Sequence, residues 1–177
     1  MKSTGIIRRI DELGRVVIPK EIRKNLNLKD GTEIEIYTSD ETLILQKHSS
    51  MQNLQTLSYQ TASVLRDTLG LDTLVVDTEK VIVANSVYRK MTGKKLSVRF
   101  VEILSRRTCK IYGDELGEIV EADDVLYTSV AVAPVVVSGD LVGGIICFST
   151  KYVISESDLK SIKVLADYLA KQLEFQT

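Results

Sequence analysis

Histidine, cysteine and long apolar runs are what this chain has least of. Its one histidine is His48, and its two cysteines, Cys109 and Cys147, are too far apart to form a CxxC pair. A structural zinc site draws about four ligands from Cys and His, so that chemistry is excluded and neither metal nor cofactor is expected. Isolated thiols read as reduced, which predicts a cytoplasmic protein. No stretch approaches the roughly 18 apolar residues of a membrane span. Met1-Lys2-Ser3-Thr4 leads into arginines and not into an apolar h-region, so neither a membrane partner nor a signal peptide is expected. Catalysis is also poorly provided for. General acid–base and nucleophilic sites need converging partners, and His48 stands alone at the edge of a linker, so no catalytic residue is assigned and the chain is read as a non-enzyme. What remains is a chain of 177 residues, 44% hydrophobic and 27% charged, with room for one domain or two small ones.

The net charge of −1 conceals an asymmetry. Over positions 1–29 eight cations (Lys2, Arg8, Arg9, Arg15, Lys20, Arg23, Lys24, Lys29) face three anions (Asp11, Glu12, Glu21), a net +5. Over 30–48 Lys47 faces Asp30, Glu33, Glu35, Asp40 and Glu41, a net −4. A solvated charged face is the usual reading of such a block. Four arginines clustered on short elements favour a polyanionic partner instead.

The chain is organised around the stretch from Gly14 to Leu26. A turn glycine is followed by β-branched Val16-Val17-Ile18 and then by Pro19, which cannot donate a ladder hydrogen bond. This predicts a strand over 15–18 and a short helix from Pro19, with Ile22 and Leu26 on its buried stripe and Lys20, Arg23 and Lys24 on other faces. Upstream, 4–11 reads as a strand and 11–14 as a turn. Downstream, 28–31 is a turn, 32–38 alternates, 39–41 turns the chain and 42–47 returns as the second arm of a hairpin. Four short strands and one helical turn bury too little surface to be stable alone, and no disulfide or metal compensates. The segment is therefore expected to fold against a second copy of itself, with two basic patches on one face suited to duplex DNA.

The residues from Lys2-Ser3-Thr4-Gly5-Ile6-Ile7-Arg8-Arg9-Ile10-Asp11-Glu12-Leu13-Gly14 through Arg15-Val16-Val17-Ile18-Pro19 and Glu21-Ile22-Arg23 resemble the AbrB/SpoVT family of bacterial transition-state regulators. The resemblance covers nearly all of 2–47. It implies a swapped-hairpin β-barrel in which two chains interlace and bind DNA as a dimer. By matching the motif, it assigns DNA contact to Arg8, Arg15, Arg23 and Lys24, with Lys2, Arg9 and Lys20 as secondary candidates. Arginine pairs bidentately with phosphate or guanine edges. With no long recognition helix, the expected mode is phosphate contact plus readout of DNA shape.

Beyond position 48 the pattern changes. A helix is expected from 49–50 to Leu69, stopped by Gly70, with Leu54, Leu57, Thr61, Leu65 and Leu69 as its stripe. A hairpin spans 73–77 and 80–84, short helices are expected near 86–92 and 99–107, and 118–127 reads as acidic and irregular. Strands over 129–137 and 141–149 meet at Ser138-Gly139-Asp140. Ser155 with Asp158 three residues on is a cap signature for a last helix carrying Leu159, Ile162, Leu165 or Ala166, Leu169 and Leu173. This order predicts an antiparallel sheet with helices on one face. It resembles a GAF domain, with Ala133–Ser149 in the place of the closing hairpin.

The expected architecture is thus α+β: an AbrB-like swapped-hairpin domain over 1–50 and a GAF-like antiparallel sheet flanked by helices over 51–177. The resemblance implies a DNA-binding transcriptional regulator of the sporulation or transition-state type, associated with the nucleoid. Its GAF domain would sense a small-molecule effector or act as a dimerising scaffold. Apolar stripes at Leu54/Leu57/Leu65 and Leu159/Ile162/Leu169 suit a helical seam between two such domains, and dimerisation through both domains would give a homotetramer bridging two DNA segments. Two alternatives stand beside this reading: an antitoxin-like protein that binds a protein partner, and a ligand-binding or assembly module with incidental DNA contact. Three other features read as structural. Glu121, Asp123 and Asp124 form a solvated acidic loop, Cys109 beside Arg106, Arg107 and Lys110 is inert, and Gly143-Gly144 serves close packing in a strand.

Overall fold

The computed structural model describes residues 4–122 and 124–175. The chain divides into two compact units, Met1–His48 and Ser49–Thr177.

In the first unit Pro19 caps the short helix α1 (Lys20–Asn25), its fixed φ of −56° leading into the first turn. The helix ends in a Schellman arrangement. Asn27 takes a left-handed φ of 51°, the Leu28 N–H donates to the Arg23 carbonyl at 2.8 Å and the Asn27 N–H to the Lys24 carbonyl at 3.2 Å. Strands β1 (Ile34–Ser39) and β2 (Thr42–Lys47) pair antiparallel from Ile34↔Lys47 to Ser39↔Thr42, with Asp40 left-handed at the turn. The strands expected over 4–11 and 15–18 are not strands in the single chain. Among the described residues neither segment pairs into a ladder, and the Asp11 N–H to the Arg15 carbonyl and the Gly14 N–H to the Asp11 carbonyl close the turn between them. Nor is Leu26 on a buried stripe: it is the C-cap residue and is exposed.

Among the described residues of this unit, none is buried. Ile7, Ile10, Leu13 and Val17 are 87%, 70%, 73% and 72% exposed, an apolar load that one copy of these residues leaves in water.

The second unit is built on a five-stranded antiparallel sheet, in the order β4-β3-β7-β6-β5. Its strands are β3 (Asp72–Val76), β4 (Val81–Ala84), β5 (Lys110–Tyr112), β6 (Ser129–Val137) and β7 (Asp140–Ser149). Strand β5, a three-residue piece at the sheet edge, is too short for its alternation to be read from the sequence. The long central hairpin turns through Ser138 and Gly139, both at positive φ (49° and 90°), the pairing that suits the twist of a two-residue hairpin loop.

Alternation along these strands fills two cores. Val75, Ala131, Ala133, Val135, Ile145 and Cys147 face one side, where they meet α2 (Ser50–Asn53), α3 (Gln55–Leu69) and α5 (Glu156–Glu174). Leu74, Val76, Val130, Val132, Ile146 and Phe148 face the other, against α4 (Val98–Ser105), a 3-10 turn over 86–91 and the loop carrying Ile119, Val120 and Tyr127. The sheet is therefore covered on both faces, not one. The expected helix over 50–69 is broken at Leu54, whose side chain is buried, and stops at Gly70 in the left-handed region. Ser155 caps α5 in a reciprocal box with Asp158.

This packing corrects the expected seam. Leu54, Leu65, Leu159, Ile162 and Leu169 are buried in the unit's own core and Leu57 is partly buried against it, so the stripes proposed for a contact between two domains are already mostly covered by the sheet. Gly143 and Gly144 do serve close packing. A Cβ on Gly143 would overlap the Val76 carbonyl oxygen, and one on Gly144 would lie 2.6 Å from Leu104 Cδ1.

Candidate nucleic-acid interface

The basic residues of the first unit sit on two pieces of chain. Arg8, Arg9 and Arg15 flank the turn over 11–15, and Lys20, Arg23 and Lys24 ride on α1. Lys2 lies outside the described residues.

Asp11 organises the first piece. Its Oδ1 accepts the Leu13 N–H at 3.0 Å and the Arg15 N–H at 2.8 Å, while its Oδ2 accepts Arg15 Nε at 2.8 Å. Gly14, at φ 76°, donates to the Asp11 carbonyl and so closes the turn. The Arg15 N–H and its guanidinium hold the Asp11 carboxyl below its ordinary value. Arg15 remains exposed, so the pair orients the guanidinium without burying it. The sequence marked 11–14 as a turn but not Asp11 as its acceptor. An Asp three residues before a turn glycine, with Arg next, is the signal that could have shown it.

On the second piece the spacing does the work. Lys20 lies three and four residues before Arg23 and Lys24, so these cations neighbour one another over one turn of helix. Arg23 and Lys24 occupy the last turn, where positive charge suits the negative end of the helix dipole. All three are exposed, as are Arg8 and Arg9. Arg8 Nη1 donates to the Ile7 carbonyl at 3.0 Å. His48 is occupied by Glu35 of β1, with Nδ1 3.5 Å from Oε2.

Chemistry elsewhere is sparse. Cys147 is fully buried, its sulfur 3.4 Å from Thr73 Oγ1, and burial pushes its thiol up to about 12. Burial also raises the Cys109 thiol, despite Lys163 nearby. Among the described residues no cluster of three or more His, Cys, Asp or Glu could hold a metal ion. Asp123, part of the acidic loop, lies outside the described residues. No described helix is long and apolar enough to cross a membrane.

Comparison with known proteins places these features. The family model described as stage V sporulation protein T C-terminal, transcription factor, matches residues 53–174. The stage V sporulation protein T of Bacillus subtilis (strain 168) is 35% identical over 177 residues, covering 98% of this chain and 99% of that protein. This chain belongs to the stage V sporulation protein T family of transcription factors. Family membership extends to the first unit. The transition state regulatory protein AbrB of the same strain is 51% identical over 55 residues, 31% of this chain and 57% of AbrB. The model for the antidote-toxin recognition protein MazE, a bacterial antitoxin, matches 7–53. The second unit of this sporulation-factor relative has the GAF fold. The GAF domain of an Acinetobacter phosphoenolpyruvate-protein phosphotransferase superposes with a TM-score of 0.60 at 10% identity, over 69% of this chain and 82% of that one.

Proposed function

We propose that this transcription factor binds duplex DNA through its first unit, as a dimer whose two chains interlace into one barrel. Arg8, Arg15, Arg23 and Lys24 contact phosphate and base edges, and Lys2, Arg9 and Lys20 add to the field. The observation that carries this reading is the pairing of a +5 basic block with a unit that buries none of its described residues. Such a segment gains its core only by association, and a second copy supplies both the missing ladder partners for 4–18 and a second set of cations. The protein acts by binding and not by catalysis, in the cytoplasm, at the nucleoid. Its GAF-like unit biases the first unit through an effector or through further self-association.

Two measurements test this. Sedimentation of a 1–50 fragment should show a folded dimer; a folded monomer removes the reading. With about four phosphate contacts per chain, the first unit of a dimer should contribute about −7 to the log–log salt slope of DNA affinity. Arg15→Ala or Arg23→Ala should flatten it by about one to two, since each dimer loses two charges. Unchanged slopes in both variants would remove the assignment. The antitoxin match over 7–53 supports a second reading, in which a toxin-like protein covers the exposed apolar residues. The second unit is packed on both faces of its sheet, unlike the disordered tail that the antitoxin reading expects. A stable 1–50 dimer that shifts duplex DNA decides for the first reading.

A further inference from the structure

The second unit carries a cationic segment that the proposed DNA-binding unit does not use. Between positions 80 and 99 lie Lys80, Arg89, Lys90, Lys94, Lys95 and Arg99 and no acidic residue, six positive charges in twenty residues. The fold gathers them at one sheet edge. Lys80 directly faces Lys95 in an antiparallel bridge beside edge strand β4. The Val81 N–H donates to the Lys94 carbonyl at 2.9 Å, and the Gly93 N–H to the Val81 carbonyl at 2.8 Å, which ties the 92–95 turn to β4. Arg89 and Lys90 sit on the 3-10 turn that leaves β4, and Arg99 on the first turn of α4. Arg89, Lys90, Lys95 and Arg99 are exposed, and no ion pair forms on any of the six among the described residues. Like charges set side by side without counter-ions raise the local potential and favour an anionic partner. The acids around them are Glu79, next to Lys80, and Asp77, buried and with its Oδ1 accepting the Lys80 N–H at 2.8 Å. Three more complete the set: Glu102, exposed three residues after Arg99 on α4, Glu121, whose N–H donates to the Lys95 carbonyl, and Glu118, whose carbonyl accepts from Ser97. Six cations against these five leave an excess of one positive charge, and four of the cations, Arg89, Lys90, Lys95 and Arg99, are exposed without an ion pair among the described residues.

We infer that this β4 edge is a second, sequence-independent contact for the phosphate backbone of duplex DNA. The inference rests on the DNA-binding reading of the first unit, which would bring a duplex to the molecule. The surface itself favours phosphates over a protein partner. Its only large exposed apolar side chains among the described residues are Val87 and Val98, and neither is the aromatic or arginine-filled anchor of a tight protein interface. It does not suit unpaired bases either, because Tyr88, the aromatic residue of this segment, is partly buried against the core in a T-shaped pair with Phe148, ring centroids 4.8 Å apart. No element here reaches into a groove, so the contacts would position DNA without reading it.

The test uses full-length protein and a duplex of random sequence. The variant R89Q/K90Q/K95Q/R99Q removes four exposed charges, and R15A/R23A serves as the comparison. If each edge meets two phosphates, the dimer loses about four contacts and the log–log salt slope flattens by about 3.6. The loss of affinity between 50 and 200 mM salt then shrinks by about a hundredfold. A charge-preserving variant, K90R/K95R, should keep the wild-type slope, and circular dichroism of each variant checks that the sheet is intact. A glutamine variant that is folded and keeps the full slope overturns the inference and leaves an acidic protein as the partner of this edge. If R15A/R23A alone flattens the slope, the first unit's role stands while this one falls. If neither does, both fall.

Discussion

Replacing Gly143 with alanine should destabilise the second unit by about 3 kcal/mol, at the upper end of what overpacking a core costs. Gly143 lies in β7 opposite Val135, beside a register shift, and is buried. The added Cβ would overlap the Val76 carbonyl oxygen, and would lie 2.7 Å from Met51 Cγ and 3.2 Å from Asp77 Cα. Met51 could swing aside at modest cost. The other two atoms cannot, because they belong to the backbone of β3 and its turn. Val76 is paired to Gly144, and the Asp77 carboxylate is fixed by the N–H groups of Glu79 and Lys80, both at 2.8 Å, and by the Ser49 hydroxyl at 3.1 Å. Relief therefore requires two central strands to part. Gly144→Ala is the control. Its Cβ meets the mobile end of Leu104 at 2.6 Å and the Ala133 carbonyl at 3.2 Å, so about 1 kcal/mol is expected. Urea unfolding of the full-length protein, followed by near-ultraviolet circular dichroism of the Tyr88–Phe148–Tyr127 cluster, separates the two. With an m-value of about 2 kcal/mol/M, the midpoint should fall by about 1.5 M for Gly143→Ala and about 0.5 M for Gly144→Ala. Equal shifts, or no shift at Gly143, would refute the distinction between a rigid and a yielding neighbour.

Ser155→Ala removes the acceptor for the Asp158 N–H at 3.2 Å and should lower stability by about 1 kcal/mol, read as a fall in Tm of a few degrees. Cys147, with its thiol pushed up to about 12, should resist a thiol reagent at pH 8 until the unit unfolds, and half-buried Cys109 should react first. The reverse order would contradict the packing. Asp11 has its folded value lowered, so its contribution is present above the unfolded value near 3.8 and is lost as pH falls through the lower folded one. A carboxyl titration by NMR should place its midpoint below 3.8, and Arg15→Ala should move it back up.

Local chemistry was legible wherever it decides structure on its own. The bounds of β2, the stop at Gly70, the turn at Ser138-Gly139 and the capping box at Ser155 each follow from a residue type that permits one geometry. What was not legible depends on who covers what. Apolar periodicity marked Leu54, Leu65, Ile162 and Leu169 as a stripe, but not whether a second domain or the chain's own sheet would cover it; the sheet does. The β-branched runs at 4–11 and 15–18 look like strands because their residues suit a pleat, yet a ladder also needs a partner that one chain does not hold. Of the candidate site, the positions of Arg23 and Lys24 on α1 could be placed from Pro19 and the 3.6 period. Asp11 could not be singled out, since its part lies in three hydrogen bonds to the turn that follows it.

The two units therefore stand in different relations to concentration. The second covers both faces of its sheet from within the chain, so its core does not require a second copy. In the first, Ile7, Ile10, Leu13 and Val17 stay in water until something covers them, and whatever does so stabilises the unit by mass action. When that partner is a second copy, order in the turn that aims Arg15 and in the helix that carries Arg23 and Lys24 is linked to association. On the proposed reading the cations are then presented in pairs, and a monomer would keep one of the two sets. It would also lose the fixed geometry that lets the remaining ones act together. Regulation by the second unit needs no route to the DNA contacts themselves. On the proposed reading, an effector or a contact that changed how often two chains meet would be enough, because effective concentration would set how much of the first unit is folded.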